Sequence, residues 1–218
     1  DQPLPFHQNE TMYPVLSAEK ATSEEKQFAY VDARNRAVQI EREKVFPAYL
    51  KRVGAYLKPG FTPVSFDDNS FKVEASVIIP VRNRVKTISD AMRSVLSQKA
   101  DFAFNLIVVD NHSTDGTTEA IDALAKQDAR IIHVIPSRDD LGIGGCWNEG
   151  VNHPQCGKFA IQLDSDDVYS GEDTIRKIVA AFYEQHCAMV VGTYAITNFK
   201  METIPPGIID HKEWSLEN

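Results

Sequence analysis

The chain has 218 residues, of which 43% are hydrophobic, 25% charged and 9% aromatic. That composition supplies one sizeable core and excludes a disordered chain. Acidic residues outnumber basic ones 31 to 23, for a formal charge of −8, and no basic run offsets them. A face that grips nucleic acid through its phosphates is excluded. So is a span of ~20 apolar residues across a bilayer, because the longest apolar stretches, such as Ala75–Val81 and Leu106–Val109, are of strand length.

The chain starts at Asp1 without a methionine or an apolar leader, so the expectation is that any targeting segment has been removed. Cys146, Cys156 and Cys187 are too few and too scattered for a disulfide framework or a zinc knuckle. A reducing, cytoplasmic setting is expected.

Residues 1–73 hold six of the eleven prolines and two of the eleven glycines. Residues 1–17, with Pro3, Pro5 and Pro14 and the apolar Leu4 and Phe6, read as an irregular arm. Ser17 or Thr22–Ser23 would cap a helix with Glu24 and Glu25 at its positive end. That helix is expected to run to about Val45 and to stop near Pro47. Val31, Val38 and Val45 recur every seven residues, but Asn35 and Arg42 interrupt the other heptad position. The reading is a charged helix against its own domain, with a homodimer through it left open.

From Lys72 the rhythm becomes strand, turn, helix. Ala75–Val81 reads as a buried strand, Val85–Gln98 as a helix and Phe104–Asp110 as a second strand. A helix from Thr117 through Lys126 precedes a third strand, Arg130–Ile135. Gly142–Asn152 reads as a helix and Lys158–Leu163 as a fourth strand. Ser170–Gln185 is again helical, and Ala188–Ile196 again a strand. Such alternation predicts an α/β fold with a mostly parallel sheet covered by helices on both faces. In those sheets ligands bind at the carboxyl ends of the strands.

Four strand ends bring polar or glycine-rich clusters to that edge: Pro80-Val-Arg-Asn-Arg84, Asp110–Thr117, Asp139–Gly150 and Asp164-Ser-Asp-Asp167. One such cluster is an ordinary solvated loop; four at one edge predict a binding crevice. The last carries the most chemistry. Three carboxylates within four residues repel one another and have raised pKa values unless a cation joins them. If the segment stays extended, Asp164 and Asp166 share a face with Cα atoms about 7 Å apart. Hard cations such as Mg²⁺ and Mn²⁺ take few protein carboxylates and complete their shell with substrate phosphates. The rival reading is a helix start rich in acids, capped by Asp166 or Ser170.

Asp110, at a buried strand end, is suited to accept a pyrimidine imide N–H or a ribose hydroxyl. Ser113 and Asp115 read as turn and cap residues, with Gly116 relieving the turn. Gly142, Gly144 and Gly145 permit close backbone approach to a ligand. Neither the G-x-x-x-x-G-K-[ST] loop nor the dinucleotide G-x-G-x-x-G pattern is present, which removes the main support for an ATPase or a dehydrogenase.

Val77–Arg84, Ile107–Thr117, Gly142–Gly150 and Leu163–Asp167, in this order and spacing, resemble the family 2 glycosyltransferases of the A-type nucleotide-sugar (GT-A, Rossmann-like) fold. The resemblance covers about residues 74–199. It implies a nucleotide-sugar site formed by Pro80, Val81, Arg82, Asp110, Gly142, Asn148, Asp164 and Ser165. Asp110 would hold the base and Asp164 would lie against the ribose or donor sugar. Asp166, with Asp164 and then Asp167 behind it, would bind Mg²⁺ or Mn²⁺ at the D-x-D element. Arg82 stands where the family often has an aromatic residue over the base, and its planar guanidinium can stack there. Trp147 replaces a basic residue of the family's A-[RK]-N-x-G element.

Only 52 residues follow Asp166, whereas the family's acceptor half and its base lie further downstream. Glu202, Asp210, His211 and Glu213 fall in what reads as a proline-rich loop, and the catalytic base is unassigned. The expected organisation is therefore an arm and helix (1–73), a nucleotide-sugar-binding domain (74–199) and the start of an acceptor region (200–218). The implied activity is metal-dependent, inverting transfer of a sugar from a nucleotide diphosphate, UDP first, to a saccharide or other hydroxyl acceptor. Two alternatives stand beside it. One is a non-catalytic nucleotide-sugar-binding module. The other is a phosphotransferase of the haloacid dehalogenase type, whose nucleophile strand Ile161–Val168 also resembles.

Overall fold

The computed structural model describes residues 36–58, 60, 62–68 and 70–210. They divide into two units, Thr62–Val190 and a second made of the residues up to Phe61 together with those from Val191. Among the described residues, no helix is long and apolar enough to cross a membrane.

Helix α1 (Arg36–Arg52) runs through Pro47 rather than stopping there. A proline inside a helix forfeits one backbone bond, but the stop signal here is Gly54. Its left-handed backbone (φ 73°) lets its amide bond Lys51 O and the Ala55 amide bond Leu50 O, so the last carbonyls are satisfied. Val38 and Val45, expected to pack, are exposed. The run Glu41–Lys44 between them leaves the apolar stripe short. The expected arm, the helix start and Val31 lie outside the described residues.

In the 62–190 unit, β1 (Ala75–Val81) is followed by α2 (Ile88–Leu96), β2 (Phe104–Asp110), α3 (Thr117–Ala125) and β3 (Ile131–Val134). Then come α4 (Ile143–Val151), β4 (Phe159–Gln162) and α5 (Thr174–Gln185). The sheet order is β3-β2-β1-β4, and every pairing is parallel. All seven residues of β1 and of β2 are buried, as the uninterrupted apolar runs predict. Ala75, Val77, Ile79 and Val81 face one core with Ile88, Met92 and Val95 of α2, Ile121 of α3 and Ile175 and Val179 of α5. Ile78 faces the other, with Ile107, Val109 and Cys146 of α4. Each fully buried aliphatic side chain contributes about 1.5–3 kcal/mol. Both faces are thus covered, and the α/β expectation holds.

The chain steps outward from β1 to β2 to β3 and then returns to β4 on the far side of β1. That reversal falls between β1 and β4, and in such sheets ligands usually lie at the carboxyl ends of the strands at that point. The segment leaving β4 is fastened to α2. The Tyr169 amide donates to Ser94 Oγ (3.2 Å), the Ile175 amide to Gln98 Oε1 (3.1 Å) and Gln98 Nε2 to Gly171 O (2.6 Å).

Beyond this unit, the strand expected over 188–196 is β5 (Tyr194–Thr197), and it does not join the parallel sheet. It pairs antiparallel with β6 (Thr203–Ile209). Within the stretch read as a proline-rich loop, Thr203–Ile209 is therefore a strand. Asn198 builds the hairpin turn by accepting from the amides of Lys200 (2.9 Å) and Glu202 (3.1 Å). Pro205 and Pro206 are tolerated because a two-stranded sheet has only edges and the register is irregular between Ala195 and Thr197.

Candidate functional site

The loop after β1 and the loop after β2 are laced together. The Asn83 amide donates to Ser113 Oγ (2.9 Å), and the Thr114 amide returns to Asn83 Oδ1 (2.8 Å). Arg84 N donates to Thr117 Oγ1 (2.8 Å) and Val85 N to Asp115 Oδ2 (3.2 Å). Asp115 also accepts from the Thr117 amide (3.1 Å) and hydroxyl (2.5 Å). Ser113, Asp115 and Thr117 are thus the mortar between two strand ends, as their turn chemistry suggested. Gly116, at φ 99°, takes a left-handed conformation that disfavours a side chain.

Asp110 pairs in register with Val81 and is fully buried. Its Oδ1 accepts from the Ser113 amide (3.0 Å), and its Oδ2 accepts from Thr118 Oγ1 (2.5 Å) and faces His133 Nε2 at 3.6 Å. Burial alone would raise its pKa; the facing His133 ring and hydrogen bonds from Ser113 and Thr118 outweigh it and hold the carboxyl well below the usual range. The side chain expected to take the base is therefore engaged internally.

The unpaired acceptor beside it is Asn111, which sequence reasoning passed over. Its amide hydrogen bonds Val81 O (2.8 Å), its Nδ2 donates to Leu141 O (2.5 Å), and its buried Oδ1 has no partner. Asn111 so joins the ends of β1 and β2 to the loop that opens α4. A lone asparagine in a turn sequence gives no sign of this; the clue lies in the bonding around it.

At the fourth strand end, Leu163 N still bonds Ile78 O (3.1 Å), but the chain then turns, with Asp167 N bonding Asp164 O (3.1 Å). The segment is not extended, so the shared strand face expected of Asp164 and Asp166 is replaced by a turn. The helix-start alternative fails too, because α5 begins at Thr174 with Asp173 before it. Asp164, Asp166 and Asp167 are exposed and Ser165 is buried between them. Asp166 Oδ2 lies 3.8 Å from Arg84 Nε, which joins this turn to the end of β1. At Asp167, desolvation and then repulsion from Asp164 and Asp166 raise the carboxyl above its usual range.

Among the described residues, no group of three or more His, Cys, Asp or Glu is arranged to hold a metal. An all-oxygen donor set with a raised carboxyl nevertheless fits a hard divalent ion that takes one or two carboxylates and finds its remaining ligands on a diphosphate.

Pro80 and Val81 are buried at the end of β1, and Arg82 is exposed beyond them. Gly142 precedes α4 in extended conformation, and a Cβ at Gly142 or Gly144 would meet open space. Trp147 packs against the second core and does not stand in for a cation. Asn148 is exposed on α4; among the described residues its side chain is not bonded to the acids. Of the tail carboxylates, Glu202 accepts from Asn198 Nδ2 (2.8 Å) in the β5–β6 turn, and His211 and Glu213 lie outside the described residues.

Comparison with known proteins adds a lineage to this geometry. The profile described as glycosyl transferase family 2 matches residues 76–215. The chain belongs to that family. Similar proteins include the glycosyltransferase TuaG of Bacillus subtilis, 32% identical over 127 residues, covering 58% of this chain and 49% of that protein. The GalNAc(5)-diNAcBac-PP-undecaprenol beta-1,3-glucosyltransferase of Campylobacter jejuni is 34% identical over 93 residues, covering 42% of this chain and 29% of that protein. A crystal structure of S. aureus TarS 1-349 in complex with UDP aligns with a TM-score of 0.45 and 28% identity, over 52% of this chain and 33% of that one. The chain spans less than half the length of these relatives. Membership also removes the haloacid dehalogenase-type reading of the acids at 164–167.

Proposed function

We propose that the crevice at the carboxyl ends of β1, β2 and β4 binds a nucleoside diphosphate sugar, UDP-linked first, and that the chain takes part in inverting transfer of the sugar to an acceptor hydroxyl. The observation that carries this reading is the convergence of three strand-end clusters at the point where the strand order reverses, in a chain whose family transfers glycosyl groups. In this reading Asn111 Oδ1 accepts from the base, because a buried carbonyl without a partner costs about 1–3 kcal/mol unless a ligand satisfies it. Asp110 holds the loop beneath. Pro80 and Val81 shape the floor of the base site, and the planar Arg82 is free to stack over the base. The open backbone at Gly142 and Gly144 admits the donor closely.

Asp164 and Ser165 lie toward the ribose or sugar. Asp166, with Asp164, would hold Mg²⁺ or Mn²⁺; what the ion supplies when bound is Lewis-acid neutralisation of the leaving diphosphate's charge. Arg84, paired with Asp166, keeps one fixed cation at a crevice otherwise rich in carboxylates. The acceptor hydroxyl needs a base to take its proton as it attacks the anomeric carbon opposite the diphosphate, and that base is unassigned. Three free cysteines agree with a reducing compartment, and the proposal sets the reaction in the cytoplasm.

Calorimetric titration of UDP with and without Mn²⁺ tests the reading. Wild type is expected to bind more tightly with the ion, and Asp166→Ala to lose about 10–100-fold of that affinity or more, the range already seen when mere supports of a metal ligand are removed. Undiminished binding by the variant removes Asp166 from the site. Donor binding without turnover in the presence of acceptors favours a nucleotide-sugar-binding module instead.

A further inference from the structure

His133 belongs to none of the strand-end motifs and has no part in the donor contacts above. We propose that His133 is a positioning residue of the donor site, an imidazolium clamped between the carboxylates of Asp122 and Asp110 that fixes Asp110 and, through it, the turn carrying Asn111. This inference rests on the donor reading.

The geometry favours the charged form. His133 Nδ1 lies 2.7 Å from Asp122 Oδ1, and Nε2 lies 3.6 Å from Asp110 Oδ2, with nine-tenths of the imidazole side chain buried. Both neighbours are acceptors only, so both ring nitrogens must carry hydrogens to face them. Nε2 is buried and has not closed a full hydrogen bond, which leaves the clamp room to tighten. Asp110 from β2 and Asp122 from α3 are the charged groups facing the ring. On the α4 side, burial first, then Glu149 and then Asp110 push the Cys146 thiol up. The facing Asp110 carboxylate raises the His133 pKa more than burial lowers it, and Asp122 adds to the rise.

Losing the proton sets a ring lone pair against one of the two carboxylates. Whichever nitrogen keeps its hydrogen, Asp110 loses the positive charge facing it and, being fully buried, cannot turn to water to replace it. The neighbouring Asn111 follows Asp110 directly in the chain, so a slackened Asp110 loosens the acceptor offered to the base. Donor affinity should therefore fall as pH rises through the His133 titration.

Two measurements test this on the whole chain. The first follows the His133 ring nitrogens by NMR from pH 5 to 9 in wild type and in Asp122→Asn. The expected midpoint lies above the usual imidazole value in wild type and moves down in the variant. The second measures UDP affinity with Mn²⁺ across the same range. Wild type is expected to weaken about tenfold through the midpoint, the scale of one charge-assisted hydrogen bond. The Asp122→Asn step should move to lower pH, and His133→Gln should bind weakly and without a step.

A His133 midpoint at or below the usual value overturns the proposal, as does an affinity profile unchanged in both variants. If His133→Gln fails to fold, Asp122→Asn decides the matter alone. Absence of UDP binding by wild type at every pH strikes the donor reading and the positioning role with it. The ring titration then still reports whether the clamp exists.

Discussion

Asp110 and Asn111 are adjacent and nearly equally buried, at 0% and 6% exposure, yet they serve opposite ends. The carboxylate accepts from Ser113 and Thr118 and faces His133, while the amide leaves Oδ1 unused. Asn111→Ala removes both the orphan acceptor and the bond to Leu141 O. Those changes oppose each other in stability, since deleting an unsatisfied buried group offsets the loss of a made bond. UDP affinity should nevertheless fall about tenfold, the worth of one hydrogen bond of ~1.4 kcal/mol. Asn111→Asp keeps an acceptor toward the base but sets an oxygen against Leu141 O. It should destabilise the chain by about 1–3 kcal/mol, read from the urea midpoint. If Asn111→Ala leaves UDP binding intact, the base is read elsewhere.

Helix α4 separates packing from binding on one element. A Cβ at Gly150 would overlap Ile78 Cγ2, so the helix lies as close to β1 as it does because residue 150 has no side chain. Gly150→Ala is expected to cost about 1–3 kcal/mol through overpacking. Gly144 faces open space, and alanine is the better helix former by about 0.8–1 kcal/mol. Gly144→Ala should therefore hold or raise the melting temperature, while reducing UDP affinity if the donor passes over this turn. Loss of stability at 144, or none at 150, would contradict the packing described.

The strands β1 and β2 were legible to the residue because seven consecutive buried positions leave an unbroken apolar run. The starts of α2 and α5 were not. Val85, Tyr169 and Gly171 are held by Asp115, Ser94 and Gln98, partners 30 to 75 residues away. The β5–β6 pairing was hidden for a similar reason, since prolines 205 and 206 disguise a strand whose partner supplies its reason to form. At the site, the acids of residues 164–167 announce themselves by local density. The unpaired acceptor of Asn111 and the clamp of His133 exist only through neighbours on other strands.

Over the whole molecule, the titrating groups beneath and beside the crevice pull stability in different pH directions. Asp110 is held below its usual range in the fold, so its contribution is present above the ordinary carboxylate value and is lost as pH falls through the depressed one. His133 is raised; its contribution is full below the ordinary imidazole value and is lost as pH rises through the raised one. Asp167 is also raised, and for a carboxyl that sign is unfavourable, since ionising it above its ordinary range costs the fold stability. Without added metal, the melting temperature should peak between about pH 4 and about 6.5 and decline on the alkaline side as His133 discharges.

Under the proposed function, a divalent ion acts on only one of these groups. Mn²⁺ seated there would offset the repulsion that raises Asp167 beside Asp164 and Asp166, so its stabilisation should appear only where Asp167 is ionised. At a hundredfold excess over its dissociation constant, that amounts to about 2.7 kcal/mol. The alkaline decline should persist with the ion present, because the proposed ligands do not include His133 or Asp110. Thermal unfolding from pH 4 to 9, with and without Mn²⁺, checks both halves. A curve that Mn²⁺ lifts equally at pH 4 and pH 8 would disconnect the ion from the acids of residues 164–167.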